Sequence, residues 1–350
     1  MAPPAEIEVS YCKFRGAATE AVPLSKESLR NTGLFRQEYP CVLWARIGRM
    51  LNRIHKASWQ IIPYSKSIAI EVAKNAAMSS QLIRSRRLRK ARAGEFFSGT
   101  DAQLERYAFQ SLRMLQDEAD GVEGRTVLEI GPGDFLTSGL ALLAGGASSY
   151  TSLDRFVGDP SSSEGKRWYL AIQQNWSRFF PQLKWPDWLD AEGFPENYPE
   201  RIHLIREGVE DFIPTEKFDV VCSFQVAEHV RSIDSFASFN ASSLSSTGVA
   251  VHRVDFGPHG LLMQSDNPFA FLIVPNWLWR LMVSSRGLPN RYRVNELEEA
   301  FERVGLTGEV TRSDVLNVTD EMMESLPPRL QGFSHDSIGT QTALFILRSA

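Results

Sequence analysis

Cysteine is scarce in this 350-residue chain: Cys12, Cys41 and Cys222 lie far apart and form no C-x-x-C pair. No disulfide framework and no zinc site can be assembled from them, and a reducing, cytoplasmic setting is the expectation. Long apolar runs are missing too. The richest stretch, residues 267–283, is broken by Pro268, Pro275 and Arg280, so nothing reaches the roughly 18 residues of a membrane-spanning helix. The opening MAPPAEIEVS has no basic stretch leading into an apolar core, so no secretory signal is expected. A basic excess is also absent. Lys+Arg number 38 against 42 Asp+Glu, a formal charge of −4, which excludes a protein that binds nucleic acid over its whole surface. What is present is ordinary: 43% hydrophobic and 23% charged residues, enough apolar surface to exclude wholesale disorder. The length fits one large or two modest domains.

The texture divides the chain at about residue 120. Residues 1–120 read as a helical region, a cover for a substrate or a contact between subunits in a homo-oligomer. Trp44, Ile47, Leu51 and Ile54 repeat at three- and four-residue steps and line one helix face. Residues 65–78 and 102–115 carry further helical runs. Arg84, Arg86, Arg87, Arg89, Lys90 and Arg92 form the strongest basic cluster. It reads as a solvated helix face, with a patch for phosphate, nucleic acid or an anionic membrane surface as the sharper alternative. From residue 121 onward, short strands alternate with helical segments. TVLEI, YTSLD, IHLIREG, FDVVCSF and GVAVHRVDF are of strand length, and residues 308–315 and 342–347 supply two more. Alternation of this kind predicts an α/β domain, a doubly wound sheet of Rossmann-like design.

Within TVLEIGPGDFL a strand ends at Ile130, and Gly131-Pro132-Gly133 forces a tight turn before a helix. Glycines there let the backbone approach a ligand at the carboxyl end of the first strand. Asp154 closes the second strand 23 residues after Gly131, near the offset of a carboxylate that accepts from ribose hydroxyls. A dinucleotide fingerprint would carry a third glycine where Leu136 stands. Glu129, two residues before Gly131, would repel a pyrophosphate and suits an amino-bearing ligand.

This combination resembles the class I S-adenosylmethionine-dependent methyltransferases. The resemblance extends from about residue 120 to 350, through EGVEDFI (207–213), FDVVCSFQVAEHV (218–230) and RYRVNELEEAFERVG (291–305). It implies a seven-stranded sheet and S-adenosylmethionine as cofactor. Glu129, Gly131 and Gly133 would border its methionine part, with Asp134 reaching the amino-acid end through water. Asp154 would hold the ribose, and Arg155 or Phe156 would lie beside the adenine. Val209 and Glu210 would wall the adenine, while Phe224 and Gln225 would face the sulfonium. Where the family often has Asp, this chain has Gly208. Some members carry E-x-x-E-H after the fourth strand and bind a divalent ion. Here Gln225 replaces the first carboxylate of Gln225-Val226-Ala227-Glu228-His229, and no metal is expected.

Methyl transfer needs alignment and exclusion of water, and a base only where the acceptor must lose a proton. In VHRVDFGPHG, His252, Asp255 and His259 fall at the carboxyl end of the fifth strand and are the candidate catalytic residues, whereas His229 reads as a structural brace. Residues 256–290 form an insertion on the substrate side. Its Phe269, Phe271, Trp277, Leu278 and Trp279 would wall an apolar substrate or pack on the N-terminal helices; a peripheral membrane contact is the weaker reading. The function expected is methyl transfer to a small-molecule acceptor, in specialised metabolism. A nicotinamide-dependent oxidoreductase, a catalytically silent cofactor-binding scaffold and an RNA methyltransferase are the rivals. Leu136 and Glu129 argue against the first, and overall acidity against the last.

Overall fold

The computed structural model describes residues 61–80, 99–262, 267–285, 287 and 289–350. The helix read through Trp44 and Ile54 and the basic cluster at 84–92 lie outside the described residues. All described residues belong to one compact unit, Arg53–Ala350.

Seven strands form one sheet: β1 (Thr126–Ile130), β2 (Ser149–Leu153), β3 (Ile202–Ile205), β4 (Phe218–Phe224), β5 (Leu244–Asp255), β6 (Leu306–Val315) and β7 (Thr340–Ser349). Their order is β3-β2-β1-β4-β5-β7-β6. The first five are parallel, and β7 inserts antiparallel between β5 and β6. The chain winds outward from β1 to β3, then returns to β4 on the other side of β1. That reversal opens a crevice at the carboxyl ends of β1 and β4, where ligands bind in open α/β sheets. The doubly wound, seven-stranded architecture expected from the sequence is the one observed.

Period-two alternation splits each central strand between two cores. Val127, Tyr150, Val220, Cys222 and Val251 face one layer, with Leu104, Phe109, Leu112 and Leu115 in the same cluster. Those last four come from α2 (Asp101–Leu104), a π-helical turn (Glu105–Phe109) and α3 (Gln110–Glu118), which follow α1 (Ser65–Ser79). Packing therefore runs through residue 120 without a break. Phe109 meets Trp176 and Phe180 edge-on, a preferred aromatic geometry. Also in this layer are α4 (Thr137–Ala144) and α5 (Ser163–Phe179); Ser162 caps α5 by accepting from Gly165 N–H. The opposite core joins Leu128, Ile130, Val221, Ala250 and Val254 to Phe236 of α6 (Ile233–Ser243).

The insertion is a third cluster. It holds α7 (Ala270–Ile273) and α8 (Asn276–Val283); Phe269, just before α7, Phe271 and Trp279 are buried with Ile68 of α1 and with Leu326, Leu330 and Ile338. Of its aromatic residues, Trp277 stays exposed. Two arginines just beyond it fasten the segment. Arg291 donates to the carbonyls of Phe271 and Val274, and Arg293, fully buried, donates to those of Phe256, Ile338 and Thr340. Arg293 opens α9 (Val294–Arg303). The last helices are α10 (Asp320–Ser325) and α11 (His335–Gly339).

Candidate active site

Beyond Ile130 the backbone takes left-handed values at Gly131 (φ 71°) and Gly133 (φ 86°), which glycine adopts without steric penalty. The two glycines do different work. A Cβ at Gly131 would lie 2.5 Å from Val226 Cγ2, so the loop is pressed against the end of β4. Around the corresponding point at Gly133 nothing stands within 4 Å, leaving backbone open to a ligand.

Acidic groups flank this loop. Glu129 is buried and accepts from Ser138 Oγ (2.6 Å) and Tyr150 Oη (2.5 Å). Burial raises its pKa, and these hydrogen bonds offset only part of the rise. Asp154, at the end of β2, accepts from Phe156 N–H at 2.7 Å and lies beside Gly133 N–H. Burial also raises its pKa, with both N–H groups opposing. The carboxylate expected at the ribose thus stands next to the open glycine.

Arg155 turns away from the loop tip. It pairs with Glu210 at 2.9 Å and with Asp211, and it lies against Gly208, where any Cβ would collide with the guanidinium. Val209 is half-buried beside Glu210, while Phe156 is 69% exposed.

At the end of β4, Phe224 is half-buried and Gln225 is exposed, with φ 58°. A left-handed residue that is not glycine is uncommon and is held only by its surroundings. Here it throws the chain into a 3₁₀ turn, Ala227–His229. Asn290 laces that turn: its N–H donates to Glu228 O (2.7 Å) and its Nδ2 to the carbonyls of Ala227 (2.9 Å) and Val230 (3.1 Å). The turn drives the Glu228 side chain inward, to 2% exposure, and leaves His229 at the surface. From the end of β5, His259 (φ 48°) reaches the same place. Its Nε2 is 3.3 Å from Asp255 Oδ2 and 3.9 Å from Glu228 Oε1, and its ring meets that of His229 edge-on at 5.0 Å. Burial pushes Glu228 up to about pKa 7. Contact with Asp255 raises His259; Asp255 ends below its ordinary value, because His259 and Gly257 N–H outweigh its burial.

The sequence reading placed His252, Asp255 and His259 together. The structure unites Asp255 and His259 and separates His252. Residues 252 and 255 are three apart on an extended strand, so their side chains leave on opposite faces. His252 enters the core: it is fully buried, accepts or donates at Nδ1 with Ser223 Oγ (2.8 Å), and stacks on Phe301 with its ring 7° from parallel. Burial lowers its pKa to about 3. Its place in the cluster belongs to Glu228, which the sequence reading weighed only as part of an incomplete metal-binding motif, beside a His229 taken there as structural.

The methyltransferase-domain family model matches residues 100–310. The chain belongs to that family. It is a class I S-adenosylmethionine-dependent methyltransferase, and the oxidoreductase reading falls away. Solved structures similar to this methyltransferase include an S-adenosylmethionine-dependent methyltransferase from Mesorhizobium loti (16% identity, TM-score 0.40, covering 71% of this chain and 99% of that one). Another is phosphoethanolamine N-methyltransferase 2 of Haemonchus contortus, solved with phosphomonomethylethanolamine and S-adenosylhomocysteine (14% identity, TM-score 0.39, covering 69% and 52%). A third is the Haloferax volcanii complex of a methyltransferase with its Trm112 activator (18% identity, TM-score 0.38, covering 72% and 94%). Comparison with curated proteins gives no match. At the carboxyl ends of β1 and β2 of the methyltransferase, backbone is open at Gly133, the Asp154 carboxylate lies beside it, and Glu129 is buried among Ser138 and Tyr150. Among the described residues no helix is long and apolar enough to cross a membrane.

Proposed function

We propose that this enzyme transfers methyl groups to a small-molecule acceptor, in specialised metabolism, in the reducing cytoplasm that its buried, free Cys222 suits. The observation that carries the reading is the polar group of Glu228, His229, Asp255 and His259. It is built on the turn that also supplies Val226 to Gly131, so acceptor chemistry and cofactor loop share one wall. When bound, the cofactor supplies an electrophilic methyl on a sulfonium. In this reading Asp154 accepts from the ribose hydroxyls, Gly131 and Gly133 give backbone room to the methionine part, with Glu129 behind them, and Val209 and Glu210, tethered by Arg155, wall the adenine. Phe224 and Gln225 lie between this half and the acceptor half. There His259, oriented by Asp255, and the buried Glu228 manage the acceptor's proton. His252 takes no part.

The acceptor class is tested with methyl-labelled S-adenosylmethionine and fractionated cell extract. Label in the low-molecular-weight fraction supports the reading, whereas label only in RNA or protein rejects it. The cofactor half has its own test. Replacing Asp154 with alanine removes a charged acceptor for two hydroxyls, each bond worth ~1.5–3 kcal/mol. Calorimetry should show affinity for S-adenosylhomocysteine reduced by about tenfold or more. An unchanged dissociation constant would remove Asp154 from the ribose site.

A further inference from the structure

Helices α1 and α8 lie side by side, tied by Asn75. Its Nδ2 donates to Leu281 O (3.0 Å) and Ser284 Oγ (3.1 Å), and its Oδ1 accepts from Ser285 N–H (2.8 Å). Inward, the pair buries Ile68, Trp279 and Met282. Outward, it leaves apolar side chains in water. Trp277 is 65% exposed and Leu281 51%, one turn apart on the same face of α8. Ile62, just before α1, is exposed as well, and every exposed position between Lys66 and Lys74 is apolar: Ala69, Ile70 and Ala73. Single exposed apolar residues are ordinary, but a set of them on two coupled helices marks an interaction surface. The charge beside them has one sign. Lys66 and Arg280 are exposed, whereas Glu71, the single acid of the two helices, is buried and paired with Lys74 at 2.8 Å. The chain around α1 extends the bias: residues 41–92 hold twelve Lys or Arg and no acid besides Glu71, in a protein of net charge −4.

We propose that the outer face of α1 and α8 docks the enzyme on an anionic lipid surface. Trp277 and Leu281 enter the boundary between headgroups and acyl chains, and Lys66 and Arg280 meet the lipid phosphates. Tryptophan suits that boundary because one end of its ring system is apolar and the indole N–H stays wet. Apolar burial and electrostatic attraction add in such a surface. Each Lys or Arg close to an anionic leaflet strengthens binding roughly fivefold.

Other occupants fit this face less well. A second copy of the chain, in a two-fold contact, would set Lys66 and Arg280 against cations of the same face. An RNA strand would find partners for its phosphates but no use for Leu281, Ile62 and Ile70, which offer neither a stacking plane nor a hydrogen bond. A bilayer uses both halves of the surface, the apolar and the cationic. Docking goes beyond the small-molecule reading and is independent of it, since it sets where the enzyme works and not what it methylates.

The test is co-sedimentation of the full chain with phosphatidylcholine vesicles, prepared with and without phosphatidylglycerol. Binding to the anionic vesicles should be at least about tenfold tighter than to the neutral ones and should weaken as salt is added. The double variants Trp277→Ser/Leu281→Ser and Lys66→Glu/Arg280→Glu should each lose about tenfold or more. Calorimetry with S-adenosylhomocysteine should give wild-type affinity in both, showing that they are folded. No sedimentation with the anionic vesicles, or wild-type binding by both double variants, overturns the proposal. Polyuridine and light scattering probe the other occupants. Tight binding of polyuridine that both double variants lose, with no binding to vesicles, would assign the face to nucleic acid. A wild-type dimer that Trp277→Ser/Leu281→Ser converts to monomer would assign it to a second copy; either result overturns the lipid assignment.

Discussion

Replacing Gly131 with valine should abolish cofactor binding, raising the dissociation constant for S-adenosylhomocysteine at least 100-fold. Two penalties act together. The φ of 71° costs an L-residue roughly 1–2 kcal/mol, and more when it is β-branched. The new Cβ would also lie 2.5 Å from Val226 Cγ2, and Val226 immediately precedes the turn that Asn290 holds by three hydrogen bonds. Neither side can yield cheaply, so the loop itself must move. About 2.7 kcal/mol is a factor of 100, within the reach of strain and overpacking combined. Gly133→Ala provides the contrast. It meets the strain but no neighbour within 4 Å, so a loss of about tenfold is the ceiling there. The double variant Gly131→Val/Val226→Gly should regain part of the binding, because it removes the collision and keeps the strain. Wild-type affinity in Gly131→Val, measured by calorimetry on protein of normal melting temperature, would mean that this loop does not contact the cofactor.

The two segments that make this crevice were legible because they are local. β1 and β4 span the residues read as TVLEI and FDVVCSF, and the glycine turn and Asp154 are neighbours along the chain of the strands they end. Period two was also legible, and it already puts His252 and Asp255 on opposite faces; proximity in sequence hid it. What could not be read locally is pairing across distance. Arg155 against Gly208, Asn290 behind Glu228, and Arg293 against Phe256 and Thr340 join segments whose contact depends on the finished sheet. The burial of Glu228 has the same origin. Its turn is short and polar in sequence, and only the left-handed step at Gln225, with the β5–His259 segment laid over it, turns an apparent surface acid into a buried one. The aromatic residues of the insertion fall in the same class. They were compatible with a wall or with packing, and Phe269, Phe271 and Trp279 pack because α1 and residues 326–338 arrive to cover them.

Stability, not turnover, is where His252 should declare itself. Its ring is buried among Phe236, Phe301 and Ser223, and its pKa is lowered to about 3 from an ordinary 6.5. Between those values the unfolded chain binds a proton that the folded chain does not. Stability from this group is therefore complete above about pH 6.5 and falls as the pH drops, by about 1.4 kcal/mol per unit. At pH 5 the loss amounts to about 2 kcal/mol. Glu228 works in the opposite sense. With its pKa raised to about 7, the folded chain holds the extra proton from there down to the carboxylate's ordinary 4.5, and that contribution grows as the pH falls. Raw acid curves mix the two, so the informative quantity is the difference between wild type and His252→Asn. Asparagine keeps a polar atom near Ser223 but does not titrate. The variant should be less stable at pH 8, by about 1–2 kcal/mol for lost packing, and that deficit should close and reverse by about pH 5. Urea unfolding at pH 8, 6.5 and 5 measures it. A gap that stays constant across the three would show that His252 has the same pKa in the folded and unfolded chain, and the buried, neutral ring described here would be wrong. Binding of S-adenosylhomocysteine should stay within twofold of wild type, since no cofactor contact lies on that face of β5.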